Sequence, residues 1–297
     1  MPALRSPTDA VVKMLNTSIC GTDLHILKGD VPNMEPGLVL GHEGIGNVEA
    51  LGSAVTNLFV DDSALISCIT CCVVSGWPLG NVINGTQAEY VRIHHASSSL
   101  HKLPTNIDAE AAVTFSDALP TGYKCGSIIA NVQNGTKVAI IGAGPVGLSA
   151  MLTAKLYTQS LTVVIDKVHS RLQHATRLGA EEVVNPASGD AMERLDALSG
   201  EHGFASVIKG VVYPETFELC QRIVAPGGSI ANIGSCLAIR TRLVDTVTIP
   251  ILLRLYHARK INPSELVTHK FRFLDILKAY EILQKPSRGI LKVGIDF

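Results

Sequence analysis

Two short clusters in the first half of the chain, Cys20-Gly21-Thr22-Asp23-Leu24-His25 and Gly41-His42-Glu43-Gly44, bring together thiol, imidazole and carboxylate side chains, the donor types that zinc accepts. Taken singly, each has a bland role: a lone Cys fills a core, and a lone His or Glu caps or solvates. Cys20 and His42 are also too distant in sequence to form a local chelate of the CxxC kind, so a shared ion would have to be assembled by the fold. Neighbours on a regular strand point to opposite faces, so His42 and Glu43 can reach one ion only where the backbone bends, as Gly41 and Gly44 permit. Asp23 can accept from the second ring nitrogen of a ligating imidazole, or it can cap a helix. If the stretch after Cys20 is helical, Thr22 and His25 share a face, which suits a proton relay as well as an ordinary exposed helix. His94-His95 is a poorer candidate pair, because consecutive histidines at a strand end diverge and are expected to be solvated.

The second half carries a different chemistry. Val138-Ala139-Ile140-Ile141 runs into Gly142-Ala143-Gly144-Pro145-Val146-Gly147 and then into a stretch from Leu148 to Tyr157 with few helix breakers. This reads as strand, glycine turn and helix. Gly142 permits the tight turn, Gly144 lets a pyrophosphate approach the backbone, and Gly147 lets helix and strand pack closely. A second apolar run, Leu161 to Ile165, ends in Asp166, an acid placed to accept from both hydroxyls of an adenosine ribose. Asp166 repels a 2′-phosphate and favours NAD over NADP, although Lys167 beside it partly offsets that repulsion. Pro145, Val146 and Arg171 complete the expected cofactor-binding set.

The elements that must position these residues have two textures. The first hundred or so residues hold short alternating segments, Ala10 to Leu15, Gly46 to Ala50 and Ala88 to Ile93, separated by glycine and proline turns, which suggest a small β-rich domain. After Lys137, strands and helices alternate. A helix from Ser170 with Gly179 near its C-cap precedes a strand at Glu181 to Val184, a helix from Asp190 to Ser199, a strand at Ala205 to Ile208 and a helix from Glu215 to Val224. A turn at Pro226-Gly227-Gly228 and a strand from Ser229 to Ile233 follow. The second half therefore predicts a doubly wound parallel sheet in an α/β protein.

Composition agrees with two globular units. The chain has 297 residues, 46% hydrophobic and 17% charged, enough hydrocarbon to fill a core. Twenty-five basic against twenty-six acidic residues leave a net charge of −1, so no field favours nucleic acid or an anionic membrane. The stretch Val138 to Ala154 is interrupted by glycines and a proline and reads as strand, turn and helix rather than a membrane span. Seven scattered cysteines, with no export signal at Met1 to Asp9, fit reduced thiols and a cytoplasmic location. Cys125, Cys220 and Cys236 are read as buried thiols.

At these residues the sequence resembles the zinc-containing medium-chain alcohol dehydrogenases. Their signature, Gly-His-Glu, two residues, Gly, five residues, Gly, two residues, Val, is matched by Gly41, His42, Glu43, Gly46, Gly52 and Val55. The resemblance extends through Cys20-Gly21-Thr22-Asp23, through Ser116-Asp117-Ala118-Leu119-Pro120-Thr121-Gly122 and through the glycine turn, and is closest to NAD-linked dehydrogenases of small secondary alcohols or diols. It implies a GroES-like catalytic domain at 1–118, to which 266–297 returns, and a Rossmann domain at 119–265. It further implies a catalytic zinc on Cys20, His42 and Asp117 with Glu43 as an exchangeable ligand, NAD as cofactor, and a small alcohol, ketone or aldehyde as substrate. Thr22 and His25 are then expected in proton relay, Asp23 in orienting an imidazole, and Trp77 either as an aromatic wall of the substrate pocket or as core packing. A homo-oligomer is compatible with the family.

The chain also departs from the family's pattern. Cys68-Ile69-Thr70-Cys71-Cys72 runs straight into Val73-Val74-Ser75-Gly76-Trp77 where relatives carry a lobe with four cysteines around a structural zinc, so no structural zinc is expected. Asp61 stands where relatives have a turn glycine. In Val207-Ile208-Lys209-Gly210-Val211-Val212 a lysine replaces a glutamate and a valine a glycine beside the cofactor, and a segment is missing between Gly234 and Arg240 to Asp245. These departures keep open a second reading, a remnant that binds NAD or zinc without turnover. A zinc-free enzyme of the quinone-reductase type conflicts with the retained donors.

Overall fold

The computed structural model describes residues 1–32, 34–69, 76–233, 248–284 and 289–297. Cys71, Cys72, Cys236 and the segment Arg240 to Asp245 lie outside them. The chain first lays down β1 (Ala10–Ile19), the helix Gly21–Lys28, β2 (Gly44–Leu51), β3 (Ser63–Ile66), β4 (Tyr90–Ile93) and β5 (Leu100–Lys102). It then makes β6 (Lys137–Ile141), β7 (Leu161–Ile165), β8 (Glu182–Val184), β9 (Phe204–Lys209) and β10 (Val224–Asn232), with helices between, and closes with β11 (Val267–Arg272) and β12 (Lys292–Asp296).

Two sheets result. The first has the order β11-β12-β1-β2-β3-β5, with β4 also on β1, so the last two strands of the chain join the sheet built by the first five. β1 is the shared spine: Ala10 to Lys13 pair with β4 and Asn16 to Ile19 with β12, while β2 runs antiparallel along its other edge. Exposed residues occur in it only at Lys13 and Leu15, and its last four residues are all buried, lying between β12 and β2 beside the site described below. The second sheet is wholly parallel, in the order β10-β9-β6-β7-β8. Apolar clusters fill both of its faces, one around Val138, Ile140 and Leu148 and the other around Ala139, Ile141 and Phe204. Successive residues of β6 thus feed opposite layers, as a strand buried on both sides requires.

One expectation needs correction. Pro226-Gly227-Gly228 does not separate a helix from a later strand: β10 runs continuously from Val224 to Asn232, and its register against β9 shifts between Val224 and Ser229. A proline and two glycines interrupt pairing with β9 without ending the strand, which among the described residues is the outermost of this sheet, a place where a missing N–H is tolerated.

Candidate active site

Local sequence explains how each side chain is delivered. Cys20 is the N-cap of the helix Gly21–Lys28, where extended backbone leaves β1 and turns into the helix. The Asp23 carboxylate, one turn in, accepts from the Cys20 backbone N–H at 2.9 Å, and Gly29 closes the helix in the left-handed region with φ 80°. Cys20, Thr22 and His25 are therefore held at the start of a short, doubly capped helix. His42 and Glu43 sit just before β2 rather than on it, after Gly41 with φ 92°. The Glu43 carbonyl is pinned by the hydroxyls of Thr17 at 2.5 Å and Thr86 at 2.9 Å. That bend lets two sequence neighbours face one point, as the flanking glycines suggested. Asp117 is the N-cap of the helix Ala118–Thr121, which continues as a π-helical turn from Gly122 to Ile128.

The side chains of Cys20, His42, Glu43 and Asp117 each offer one donor atom, all within 4.8 Å of one another. His42 Nε2 lies 3.7 Å from Asp117 Oδ2 and its Nδ1 3.7 Å from Asp23 Oδ1, so the ring is bracketed by two carboxylates. Both Nδ1 of His42 and Oδ1 of Asp23 are buried without a hydrogen-bond partner, and a small ring rotation would pair them. Asp23 thus lies both at the helix cap and beside the imidazole. Gln87 Nε2 donates to Asp23 at 3.2 Å and Tyr280 donates to Gln87 Oε1 at 2.7 Å, which ties the C-terminal helix Ile276–Leu283 to this ring.

Electrostatics mark the cluster as one that wants a cation. Burial favours the neutral imidazole, but hydrogen bonding to Asp117 and Cys20 overrides it and holds His42 well above the usual histidine range. Asp117 is buried too, yet His42, Lys292 and Thr121 together hold its carboxyl well below the usual carboxylate range. Burial raises Asp23. Lys292, 2% exposed, lies 2.5 Å from Glu43 Oε2, which Ser18 also contacts, while Glu43 Oε1 has no partner. Burial lowers Lys292 and Glu43 more than compensates, so its ammonium titrates above the ordinary lysine range. Sequence reasoning missed Lys292. Its signal was a single lysine in the apolar run Ile290-Leu291-Lys292-Val293.

A cleft of about 460 Å³ opens from this cluster toward the parallel sheet. Thr22, His25, Trp77, Gly144, Pro145, Val146, Arg171 and Val212 line it together with the four donors. Trp77 stands edge-on to His42 with centroids 5.3 Å apart. Thr22 Oγ1 is 3.5 Å from the Cys20 sulfur, and His25, at an exposed position, has Nδ1 2.8 Å from Asp30. The glycine turn has the form a dinucleotide needs. Gly142 has φ 102°, a Cβ on Gly147 would overlap the Gly142 carbonyl, and a Cβ on Gly144 would meet no atom within 4 Å, so the backbone there is open to a ligand.

Other expected residues are placed differently. Asp166 accepts from the backbone N–H of Ala143 at 2.7 Å and of Val168 at 2.8 Å, so its carboxylate braces the glycine turn. Lys167 is exposed and does not line the cleft: residues after the strand end alternate, and the side chain that follows buried Asp166 turns to solvent. Lys209 is buried and donates to the Val211 carbonyl at 2.7 Å and to Asn232 Oδ1 at 3.2 Å, directed into the sheet end rather than the cleft. His95 is exposed, but His94 is half-buried with an unpartnered Nε2, so solvation holds for only one of that pair. Cys125 and Cys220 are buried and in no disulfide.

Residues 6–105 match the family model of the alcohol dehydrogenase GroES-like domain and residues 145–269 that of the zinc-binding dehydrogenases. This chain belongs to the zinc-containing medium-chain alcohol dehydrogenases. An alcohol dehydrogenase of Cupriavidus necator is 32% identical, with 97% of this chain and 92% of the relative covered. That alignment runs over 338 residues, more than the 297 of this chain, so the relative carries internal segments that this one lacks. An NADP-dependent isopropanol dehydrogenase of Thermoanaerobacter brockii is 27% identical over 96% of this chain and 92% of its own. Among solved structures, zinc-dependent alcohol dehydrogenase 2 from Streptococcus pneumonia superposes with a TM-score of 0.92 at 39% identity, covering 99% of this chain and 92% of that one. The dehydrogenase reading is zinc-dependent oxidoreduction of alcohols with a nicotinamide cofactor, and the remnant reading finds no support among these relatives. No helix among the described residues is long and apolar enough to cross a membrane.

Proposed function

We propose that this dehydrogenase oxidises a small secondary alcohol with NAD, holding one zinc ion through Cys20, His42 and Asp117 with Glu43 as an exchangeable donor. The observation that carries this reading is the convergence of those four donors, drawn from three separate stretches of the chain, within 4.8 Å of one another at the end of the cleft. The donor set fits zinc: one sulfur, one imidazole nitrogen and carboxylate oxygens surround a buried point whose neighbouring fixed cation, Lys292, is already paired with Glu43. When bound, zinc supplies Lewis acidity toward an alcohol hydroxyl and the nicotinamide supplies the hydride acceptor.

The chain's own residues supply the rest. The Asp23 carboxylate, 3.7 Å from Nδ1 of His42, attracts that side of the ring and keeps Nε2 turned toward Asp117. Thr22 takes the proton of the substrate hydroxyl, and His25 passes it to solvent at the cleft mouth. With Nδ1 engaged by Asp30, the other ring nitrogen of His25 is the one that exchanges protons. Trp77 walls the pocket and limits substrate size. Gly142, Gly144, Pro145, Val146 and Gly147 receive the pyrophosphate, Arg171 faces it across the cleft, and Asp166 at the end of β7 repels a 2′-phosphate, which favours NAD. In this reading 119–265 is the nucleotide unit and 1–118 with 266–297 the catalytic unit, working in a reducing, cytoplasmic setting that keeps the Cys20 and Cys68 thiols free.

The test is metal analysis joined to turnover. Protein purified without chelator is expected to carry about one zinc per chain, bind NADH and oxidise a short secondary alcohol. Cys20→Ala or His42→Ala is expected to lose the zinc and the turnover together. Wild-type protein with neither zinc nor NADH binding would sink the proposal.

A further inference from the structure

The two oxygens of Asp117 live in different surroundings. Oδ1 accepts from Thr121 Oγ1 at 2.7 Å and from the Cys68 thiol at 3.6 Å. Oδ2 receives neither and lies 3.7 Å from His42 Nε2, on the side of the donor cluster. The asymmetry is built by two separate pieces of backbone. The Thr121 N–H donates to the Asp117 carbonyl at 2.9 Å, closing one helical turn that sets the Thr121 hydroxyl over the carboxylate. The Cys68 N–H donates to the Ser116 carbonyl at 3.1 Å, which brings its sulfur beside Asp117 from the chain after β3. Two donors occupy the two lone pairs of one carboxylate oxygen and leave the other oxygen to the donor cluster.

We propose that Thr121 and Cys68 are positioning residues that make Asp117 a one-oxygen ligand, by engaging Oδ1 and presenting Oδ2 alone to the cation. The inference rests on the reading of Asp117 as a zinc ligand. Its consequence is coordinative: a carboxylate with both oxygens free can bind a cation through both, and a second oxygen would fill the open position that a catalytic zinc site keeps for substrate. Thr121 and Cys68 thereby protect substrate access more than they strengthen metal binding.

Cobalt(II) substituted for zinc reads this directly, because the visible absorption of a four-coordinate cobalt site is intense and that of a five-coordinate site weaker. Thr121→Val, Cys68→Ala and their combination are expected to retain cobalt, with absorption that weakens in each single variant and further in the double. The alcohol KM should rise about tenfold in the double variant, the lower end of what supporting partners contribute at metal sites, with a smaller change in kcat. Thr121→Ser, which keeps the hydroxyl, should restore the wild-type spectrum. A double variant whose cobalt spectrum and KM match the wild type would overturn the proposal, and if the double variant does not fold the two single spectra decide it in the same way. Wild-type protein that takes up no cobalt, or whose spectrum is untouched by Cys20→Ala, would instead remove the metal reading itself and this inference with it.

Discussion

The Lys292 ammonium and the Glu43 carboxylate, 2.5 Å apart and at most 2% exposed, are neutralised chiefly by one another. Removing one partner from such a pair leaves an uncompensated buried charge. Lys292→Met is therefore expected to destabilise the fold by about 3–5 kcal/mol, and Lys292→Met with Glu43→Gln to recover much of that loss, as measured by denaturant unfolding. Equal losses in the single and double variants would show that the two charges are not coupled. His101 supplies a second test at this scale. Burial alone lowers it to about 4, and its Nε2 has no partner. The unfolded chain takes up a proton near the ordinary histidine value while the fold still refuses it, so the contribution of His101 to stability is intact above about pH 6.5 and declines until about pH 4. His101→Gln should flatten the stability profile across that window, and an unchanged slope would assign the loss to other groups.

Among the elements, the turn before β3 carries a visible defect. Asp61 has φ 70°, a left-handed region that glycine enters freely and aspartate enters at a modest cost. Asp61→Gly is expected to raise stability by up to about 1 kcal/mol net of the entropy glycine adds to the unfolded chain, read as a higher unfolding midpoint, and an unchanged or lower midpoint would show that Asp61 is not strained there. The elements themselves were largely legible. The apolar run that opens β1, with only Lys13 and Leu15 exposed, and the βα rhythm after Lys137 are patterns that local burial imposes on sequence. What local pattern could not convey were the ends. β1 extends to Ile19 because β12 arrives from far along the chain to pair with Asn16 to Ile19, and β10 continues through Pro226-Gly227-Gly228 because a register shift against β9 absorbs the interruption.

At the scale of the whole molecule the cleft is lined both by residues of the first sheet, such as Ile19 and Lys292, and by residues beside the ends of the parallel strands, such as Gly144, Gly210 and Val212. Val212, 47% exposed, lines it where the family resemblance places a glycine. Val212→Gly is expected to tighten NADH binding by about 1 kcal/mol, roughly fivefold, in a fluorescence titration. An unchanged affinity would mean that the valine side chain stands clear of the cofactor.

The residue types and spacings by themselves determined which chemistry this chain can do. A glycine turn after an apolar strand, and thiol, imidazole and carboxylate donors beside a family signature, are local facts, because backbone turns and ligand softness depend on the residues alone. Only the tertiary structure decided which of these groups act on one another. Asp117 meets Cys20 and His42 through strand pairing and helix packing, Lys292 reaches Glu43 because β12 pairs with β1, and Thr121 and Cys68 share one oxygen of one carboxylate. Distances between residues far apart in the chain are set by the packing of whole elements, so no window of sequence contains them.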